Sequence, residues 1–111
     1  MAITLKNIIA RKQAESAQTP QYTAINCKTV IDKFTVTNTT GAPVVFSANL
    51  VALAGAAAAS NCVLSAKSIA AGETYNCPEL VGQSLEAGGF ISTLAGAPTS
   101  LTISATGREI T

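Results

Sequence analysis

The most constraining feature of the chain is a period-two alternation of apolar and polar residues that recurs, between turns, over most of its length. In the segment 28–37, Val30, Phe34 and Val36 share one face, and in 44–53 both faces are substantially apolar. Turns rich in Gly, Asn or Pro interrupt these runs at intervals of roughly ten residues. The absence of helical periods between the runs predicts an all-β chain rather than βαβ units.

The alternation predicts a series of short strands after the first quarter of the chain. Their approximate spans are 28–37, 44–53, 62–69, 73–77, 90–95 and 101–106. The strand 44–53 is expected to be central because both of its faces are apolar. The strand 73–77 is expected to end at Pro78 or to lie at an edge, because Pro78 cannot donate to a ladder. The alanine-rich stretch 54–60 is expected to be a loop with one helical turn at most. The predicted fold is an antiparallel β-sandwich, of jelly-roll or immunoglobulin-like type, with about six to eight strands.

The first quarter of the chain differs from the rest, because the stretch 13–21 is polar and low in hydrophobicity. Residues 1–21 are therefore assigned to an N-terminal arm or linker, extended or partly helical, and residues 22–111 to the sandwich domain. Two alternatives are open for the arm: a surface strand followed by a loop, or a segment exchanged with a neighbouring molecule. Its apolar residues cannot all be satisfied on an isolated linker, so we expect it to mediate attachment. The residues expected to do so are Ile3, Leu5, Ile8, Ile9, Arg11 and Lys12.

The chain is poor in residues that carry chemistry. Its 111 residues include no His and no Trp, and only 12% are charged, about half the usual quarter. Without His there is no side chain whose unperturbed pKa lies near neutrality and no imidazole ligand for a metal. We therefore expect no enzyme activity, no catalytic residue, no bound metal and no cofactor. Asp32, the one misfit on an apolar strand face, is expected to be a salt-bridged rim residue or to mark a β-bulge rather than to be a perturbed carboxylate.

The charge balance also limits the partners that can be expected. A net charge of +1 with scattered cations offers no basic face for nucleic acid and little attraction to an anionic membrane. No stretch approaches the roughly 20 apolar residues of a membrane span, and the first residues lack the pattern of a secretory signal, which predicts cytoplasmic synthesis. A weakly charged surface of Thr, Ser, Asn, Gln and Ala costs little to desolvate when two copies meet. This favours a component of an assembly.

The three cysteines, Cys27, Cys62 and Cys77, are an odd number without a Cys-x-x-Cys spacing. Three thiolates and no His leave a tetrahedral metal site one ligand short. We expect buried apolar thiols. The alternative is a disulfide between Cys62 and Cys77 that forms after release from the cell.

Several motifs between residues 22 and 111 resemble those of small virion proteins of tailed bacteriophages and prophages. The motifs are Phe34-Thr-Val-Thr-Asn38 before a glycine turn, Ser60-Asn61, Ile69-Ala-Ala-Gly-Glu-Thr74, Pro78-Glu-Leu-Val-Gly82, Leu85-Glu-Ala-Gly-Gly-Phe-Ile91 and Leu101-Thr-Ile-Ser-Ala-Thr-Gly-Arg-Glu-Ile110. None of them marks a catalytic site. Gly89 stands where many members of this group have Asp, so this chain lacks that carboxylate.

The resemblance implies a non-enzymatic structural component of a tailed-phage virion, built on a β-sandwich. The expected position is that of an accessory capsid decoration (cement) protein or a collar protein, although the neck and tail also contain small sandwiches. The expected partners are further copies of the chain, as a dimer or trimer, and other virion proteins such as the major capsid or neck proteins. The alternative is a tail- or fibre-associated module that binds a receptor or glycan. The expected location is the virion, after synthesis in the cytoplasm of a host bacterium.

Overall fold

The structure is a computed structural model that describes residues 2–111, and these residues form two β-sheets packed face to face. The strands are β1 (Ile3–Gln13), β2 (Thr19–Thr23), β3 (Lys28–Asn38), β4 (Val44–Val51), β5 (Cys62–Ile69), β6 (Thr74–Tyr75), β7 (Ser84–Leu85), β8 (Phe90–Ala95) and β9 (Leu101–Ile110). A 3-10 turn, Ala59–Asn61, lies between β4 and β5. The all-β sandwich predicted from the alternation is confirmed.

All strand pairs are antiparallel, and most of them join strands that are distant in the sequence. The first sheet has the order β1-β9-β3-β6, with β7 also paired to β3, and the second has the order β2-β8-β4-β5. The predicted central strand is β4, which lies between β8 and β5. The short strand expected at an edge is β6, and it lies at the edge of the first sheet. Both of these predictions are confirmed.

The first quarter of the chain belongs to the two sheets. Residues 3–13 form β1, an edge strand that pairs with β9 of the same chain from Ile3 opposite Ile110 to Gln13 opposite Thr102. Residues 19–23 form β2, which pairs with β8 at the edge of the second sheet. The expected boundary between residues 21 and 22 therefore falls inside β2. Within this single chain, residues 3–13 lie as a surface strand, which is the first of the two alternatives for the arm.

A β-bulge in β3 decides which residues of this strand enter the core. The register with β9 shifts after Ile31, which leaves Asp32 as the bulged residue. Before the bulge Ile31 is buried, and after it Phe34 and Val36 are buried. The expectation that Val30 shares their face is wrong, because one inserted residue inverts the alternation. The expectation of a bulge at Asp32 is confirmed.

The core between the sheets is aliphatic, with one pair of aromatic rings at its centre. Phe34 on β3 and Phe46 on β4 are fully buried, and their ring centroids lie 6.1 Å apart. This contact bridges the two sheets, in the tilted geometry that aromatic pairs favour. The other large apolar side chains that are fully buried are Ile31, Ile69, Leu80, Ile91, Leu101, Ile103, Val36 and Val51.

Asn38, at the end of the first motif, also connects the two sheets. Its side chain is buried, and its amide nitrogen donates to the carbonyl of Ile69 in β5 at 2.9 Å and to that of Ala42 at 2.8 Å. Its side-chain oxygen accepts from the backbone nitrogen of Thr40 at 2.9 Å. The motif Phe34–Asn38 followed by a glycine turn therefore has a structural role.

The alanine-rich loop after β4 is held in place by two asparagines. Asn49 donates to the carbonyl of Ala58 at 2.9 Å and to the side-chain oxygen of Asn61 at 2.8 Å. Asn61 in turn donates to the carbonyl of Ala56 at 2.9 Å. The prediction of a loop with one helical turn is confirmed, and the asparagine of the Ser60-Asn61 motif fixes the loop to the sheet.

Candidate interaction surface

Two of the six residues expected to mediate attachment lie in the core. Ile8 and Ile9 are adjacent in the chain, yet both are buried, with 5% and 3% of their surface exposed. The pairing of β1 with β9 shifts register on either side of Ile9, and such shifts allow neighbouring side chains to turn to the same side. Ile8 and Ile9 therefore stabilise the sandwich and are not accessible to a partner.

The other four residues of the expected attachment set are exposed. Ile3 and Leu5 expose 57% and 78% of their surface. The amine of Lys12 lies 3.0 Å from the carboxylate of Glu15. Arg11 is exposed and has no ion pair within residues 2–111. The N-terminal strand is thus accessible at its two ends, as expected, whereas its middle residues lie in the core.

Exposed apolar side chains are concentrated at one end of the sandwich. Among residues 2–111, six large apolar side chains are exposed, and four of them lie at this end. We call this surface the apolar tip and define it by Ile3, Leu5, Ile25 and Leu53. Sequence patterns could not reveal it, because its residues come from β1 and from two separate loops.

Strand register places the segments that carry these four residues toward the same end of the two sheets, where Ile25 and Leu53 share a hollow. In the first sheet, Ile3 is opposite Ile110, which is opposite Lys28 at the start of β3. The loop that carries Ile25 leads directly into this strand. In the second sheet, the end of β2, the start of β8 and the end of β4 are in register at the same end. Leu53 follows the end of β4 by two residues.

Leu53 stands between two shallow apolar hollows at the tip. One has a volume of about 300 Å³ and is shared with Ile25 and Gly88. The other, of about 370 Å³, is shared with Leu50 and Leu85. The Leu53 side chain packs so closely on Gly88 that a Cβ added there would lie 2.5 Å from it. The tip therefore combines a protruding leucine with recesses that can accept apolar side chains of a partner.

A cluster of polar side chains closes the sandwich beneath the tip. The Tyr22 hydroxyl donates to the carboxylate of Glu109 and lies 2.7 Å from the hydroxyl of Thr29. The amine of Lys6 lies 3.3 Å from the same carboxylate. The hydrogen bond from Tyr22 lowers the pKa of Glu109, and Lys6 lowers it further, while burial and the bond to Glu109 raise the pKa of Tyr22. The charge of Glu109 is thus matched within the molecule.

Another ionic contact near the tip is also an internal pair. The amine of Lys28 lies 3.3 Å from the carboxylate of Glu86. Together with the pair of Lys6 and Glu109, it leaves the tip without an excess of either sign. A surface of this kind has no charge to attract an ionic ligand, and burying it removes apolar area from water.

All three cysteines are free thiols, so the disulfide between Cys62 and Cys77 is not formed in the structure. Cys27 and Cys77 are buried, and Cys62 is half-buried in β5, where its thiol lies 3.3 Å from the carbonyl of Leu64. Burial raises the pKa of Cys77 to about 12, and the charge of Glu79 adds to the shift. Cys77 is thereby held in its unreactive protonated form at neutral pH.

Residues 2–111 contain no cluster of three Cys, Asp or Glu side chains that could hold a metal ion. Within the same residues, no helix has the length and apolar character to cross a membrane.

No protein-family model matches the chain, and no curated protein matches it. Among solved structures, a chain in the structure of infectious bursal disease virus, Gx strain, has the same fold, with a TM-score of 0.54 and 13% sequence identity. The match covers 98% of this chain and 33% of the viral chain. The present chain thus spans about a third of the length of the protein that it resembles, and the likeness is one of fold.

Proposed function

We propose that the chain is a structural component of a virus particle and has no enzymatic activity. The observation that carries this proposal is the apolar tip, an exposed apolar surface at the end of a sandwich whose neighbouring charges are internally paired. Surfaces of this type on small proteins mark contacts with other proteins. The fold shared with a chain of a virus structure and the motifs that resemble virion proteins both support the proposal.

In its finer form, the proposal is an accessory decoration or collar protein of a tailed-phage virion. The tip is the attachment surface, and Ile3 and Leu5 of the N-terminal strand contribute to it together with Ile25 and Leu53 from the loops. Its partner is another virion protein, such as the major capsid or a neck protein, that presents an uncharged apolar surface. Docking by the tip leaves the rest of the two sheets free to contact further copies of the chain.

The proposal is tested on particles from the source of the chain. Particles banded by density are analysed by mass spectrometry, and we expect the chain to be among their stoichiometric components. Particles that lack the chain are then incubated with the purified protein and sedimented. The wild-type protein should co-sediment, and the double variant Leu5→Ser, Leu53→Ser should not. Val45→Ser is the matched control, because Val45 is also an exposed apolar residue but lies at the opposite end.

The result that would overturn the proposal is the absence of the chain from purified particles. A protein that is absent from particles and binds glycans in solution would favour the receptor-binding alternative. Equal co-sedimentation of the tip variant and the wild type would instead exclude the tip as the attachment surface.

A further inference from the structure

The first sheet has two edges that carry charges of opposite sign. β1 forms one edge and contains three cations and no acid, whereas β6 and β7 form the other. The segment 70–89, which contains β6 and β7, has three carboxylates and no cation, and thus half of the six acidic residues of the chain. The cations are Lys6, Arg11 and Lys12, and the carboxylates are Glu73, Glu79 and Glu86.

At the end of the sheet away from the tip, the charges of the two edges lie at the same position along the strand direction. The register runs from Lys12 in β1 across β9 and β3 to Tyr75 in β6. Arg11 precedes Lys12, and Glu73 precedes Tyr75 by two residues. Glu79 accepts hydrogen bonds from the Tyr75 hydroxyl at 2.7 and 2.8 Å. Two cations on one edge therefore correspond in this position to two carboxylates on the other.

A second correspondence lies near the tip. The register runs from Leu5 in β1 across β9 and β3 to Ser84 in β7. Lys6 follows Leu5, and Glu86 follows Ser84 by two residues. Both ends of the sheet thus place a cation on the β1 edge and a carboxylate on the opposite edge.

The charges that have no ion pair inside the molecule fit the same pattern. Within residues 2–111, Arg11 on β1 has no carboxylate partner, and neither Glu73 nor Glu79 has a cation within 4.0 Å. Lys67 on β5 contributes to the lowered pKa of Glu79, and its amine lies 5.0 Å from the ring centre of Tyr75. Lys6, Lys12 and Glu86 are each in an ion pair within the molecule, so the unpaired charges of the two edges lie at the end away from the tip.

We propose that a second copy of this chain docks its β1 edge on the segment 70–89 of its neighbour, in a head-to-tail contact. Pairing of β1 with β1 of another copy would bring together the cations of both strands without an acid, so the electrostatics oppose the symmetric alternative. Because β6 and β7 have two residues each, the contact rests on side chains more than on a backbone ladder. A head-to-tail contact gives a ring if the rotation between copies closes, and otherwise a filament.

This inference deepens the proposed function, on which it rests for its biological setting, by naming the partner of the sheet edges as the chain itself. Its test is sedimentation velocity of the purified full chain. We expect assemblies larger than a monomer at low salt that dissociate at about 1 M salt, where charges are screened over a few ångströms. Arg11→Glu and Glu79→Lys should each raise the dissociation constant by about tenfold or more.

A mixture of the two variants provides the sharper measurement. Arg11→Glu protein carries a carboxylate in place of a β1 cation, and it can pair with the amine that Glu79→Lys protein carries in place of a carboxylate. The other edge of each variant is native, and the two native edges are complementary. The equimolar mixture should therefore assemble where each variant alone does not. Lys33→Glu, which makes the same change of charge on β3, is the control and should assemble as the wild type does. Glu79→Gln, which keeps an acceptor for Tyr75, should weaken assembly if Glu79→Lys fails to fold.

A chain that is monomeric at every salt concentration would overturn the inference. Assembly that neither variant weakens, or a mixture of folded variants that stays monomeric, would do the same. These results are separate from the test of the proposed function. If the chain is found in particles but Arg11→Glu does not weaken its assembly, the structural role stands and only the head-to-tail contact is excluded.

Discussion

Arg108 on β9 holds the bulged residue Asp32 on β3 through a bidentate ion pair. The Nε atom of Arg108 lies 3.1 Å from both carboxylate oxygens, and one terminal nitrogen lies 2.9 Å from Oδ1. The pair joins the two strands at the point where the bulge interrupts their regular register. Asp32 and Arg108 expose 36% and 42% of their side chains, so water screens their attraction.

We expect the ion pair between Asp32 and Arg108 to contribute little to the free energy of unfolding, and a double-mutant cycle measures that contribution. Asp32→Ala, Arg108→Ala and the double variant are unfolded in urea, and the coupling between the two side chains is expected to be about 0.5–1 kcal/mol. Such a value would mean that the pair positions the bulge without dominating its stability. A coupling above about 2 kcal/mol would contradict this, since it would require a pair shielded from solvent.

The bulge at Asp32 also shows where sequence reasoning about this fold reaches its limit. Alternation located the five longer strands after residue 22, which are β3, β4, β5, β8 and β9, because each buries one face on the opposite sheet. The alternation wrongly placed Val30 on the buried face, because one extra residue in β3 inverts the pattern. Asp32 was the only sign of that inversion in the sequence. β7 has two residues, which is too short for any period to be read.

The burial of the middle of the N-terminal strand escaped prediction for a related reason. The adjacent Ile8 and Ile9 interrupt the alternation of β1, and two register shifts in its pairing with β9 bury both. The expected attachment residues Ile3 and Leu5 belong to the candidate surface, but Ile25 and Leu53 were not anticipated. They join the tip only through the topology that brings the ends of β2 and β4 together.

Asn38 is expected to be the most sensitive polar position of the core. Asn38→Ala removes the donor for the carbonyls of Ile69 and Ala42 and leaves these groups without that partner. Loss of buried hydrogen bonds of this kind costs about 1–3 kcal/mol for each unsatisfied group, so we expect a loss of about 3 kcal/mol in the free energy of unfolding. Chemical denaturation measures it. A change below about 1 kcal/mol would show that the two sheets do not depend on this contact.

Gly107 is required by the close approach of β3 to β9. A Cβ at this position would overlap the carbonyl oxygen of Val30 and lie 3.3 Å from the side chain of Ile8. Gly107→Ala should therefore lower the free energy of unfolding by about 1–3 kcal/mol. The control is Gly41→Ala, because a Cβ there has open space. If the two variants have equal denaturation midpoints, the packing of β9 against β3 is looser than the structure shows.

The cluster beneath the tip predicts a loss of stability in acid. The pKa of Glu109 is below its ordinary value of 4.5 in the folded chain, chiefly because Tyr22 donates to it. A carboxylate with a lowered pKa stabilises the fold above its unfolded pKa, and this contribution disappears as the pH falls through its folded pKa. The free energy of unfolding should thus decline below about pH 4.5. Tyr22→Phe should flatten this decline, and curves that run parallel for the variant and the wild type would exclude Glu109 as its source.

The three thiols should differ in reactivity in proportion to their burial. Cys27 and Cys77 expose 5% and none of their surface, and the raised pKa of Cys77 keeps it protonated, so neither should react with a thiol reagent in the native chain. Cys62 is half-buried and should be the one site that is labelled, with Cys62→Ser abolishing native labelling. All three should react in denaturant. Peptide mapping that found Cys62 joined to Cys77 would contradict this order, because a bridge would require β5 to approach the loop after β6 more closely than in the structure.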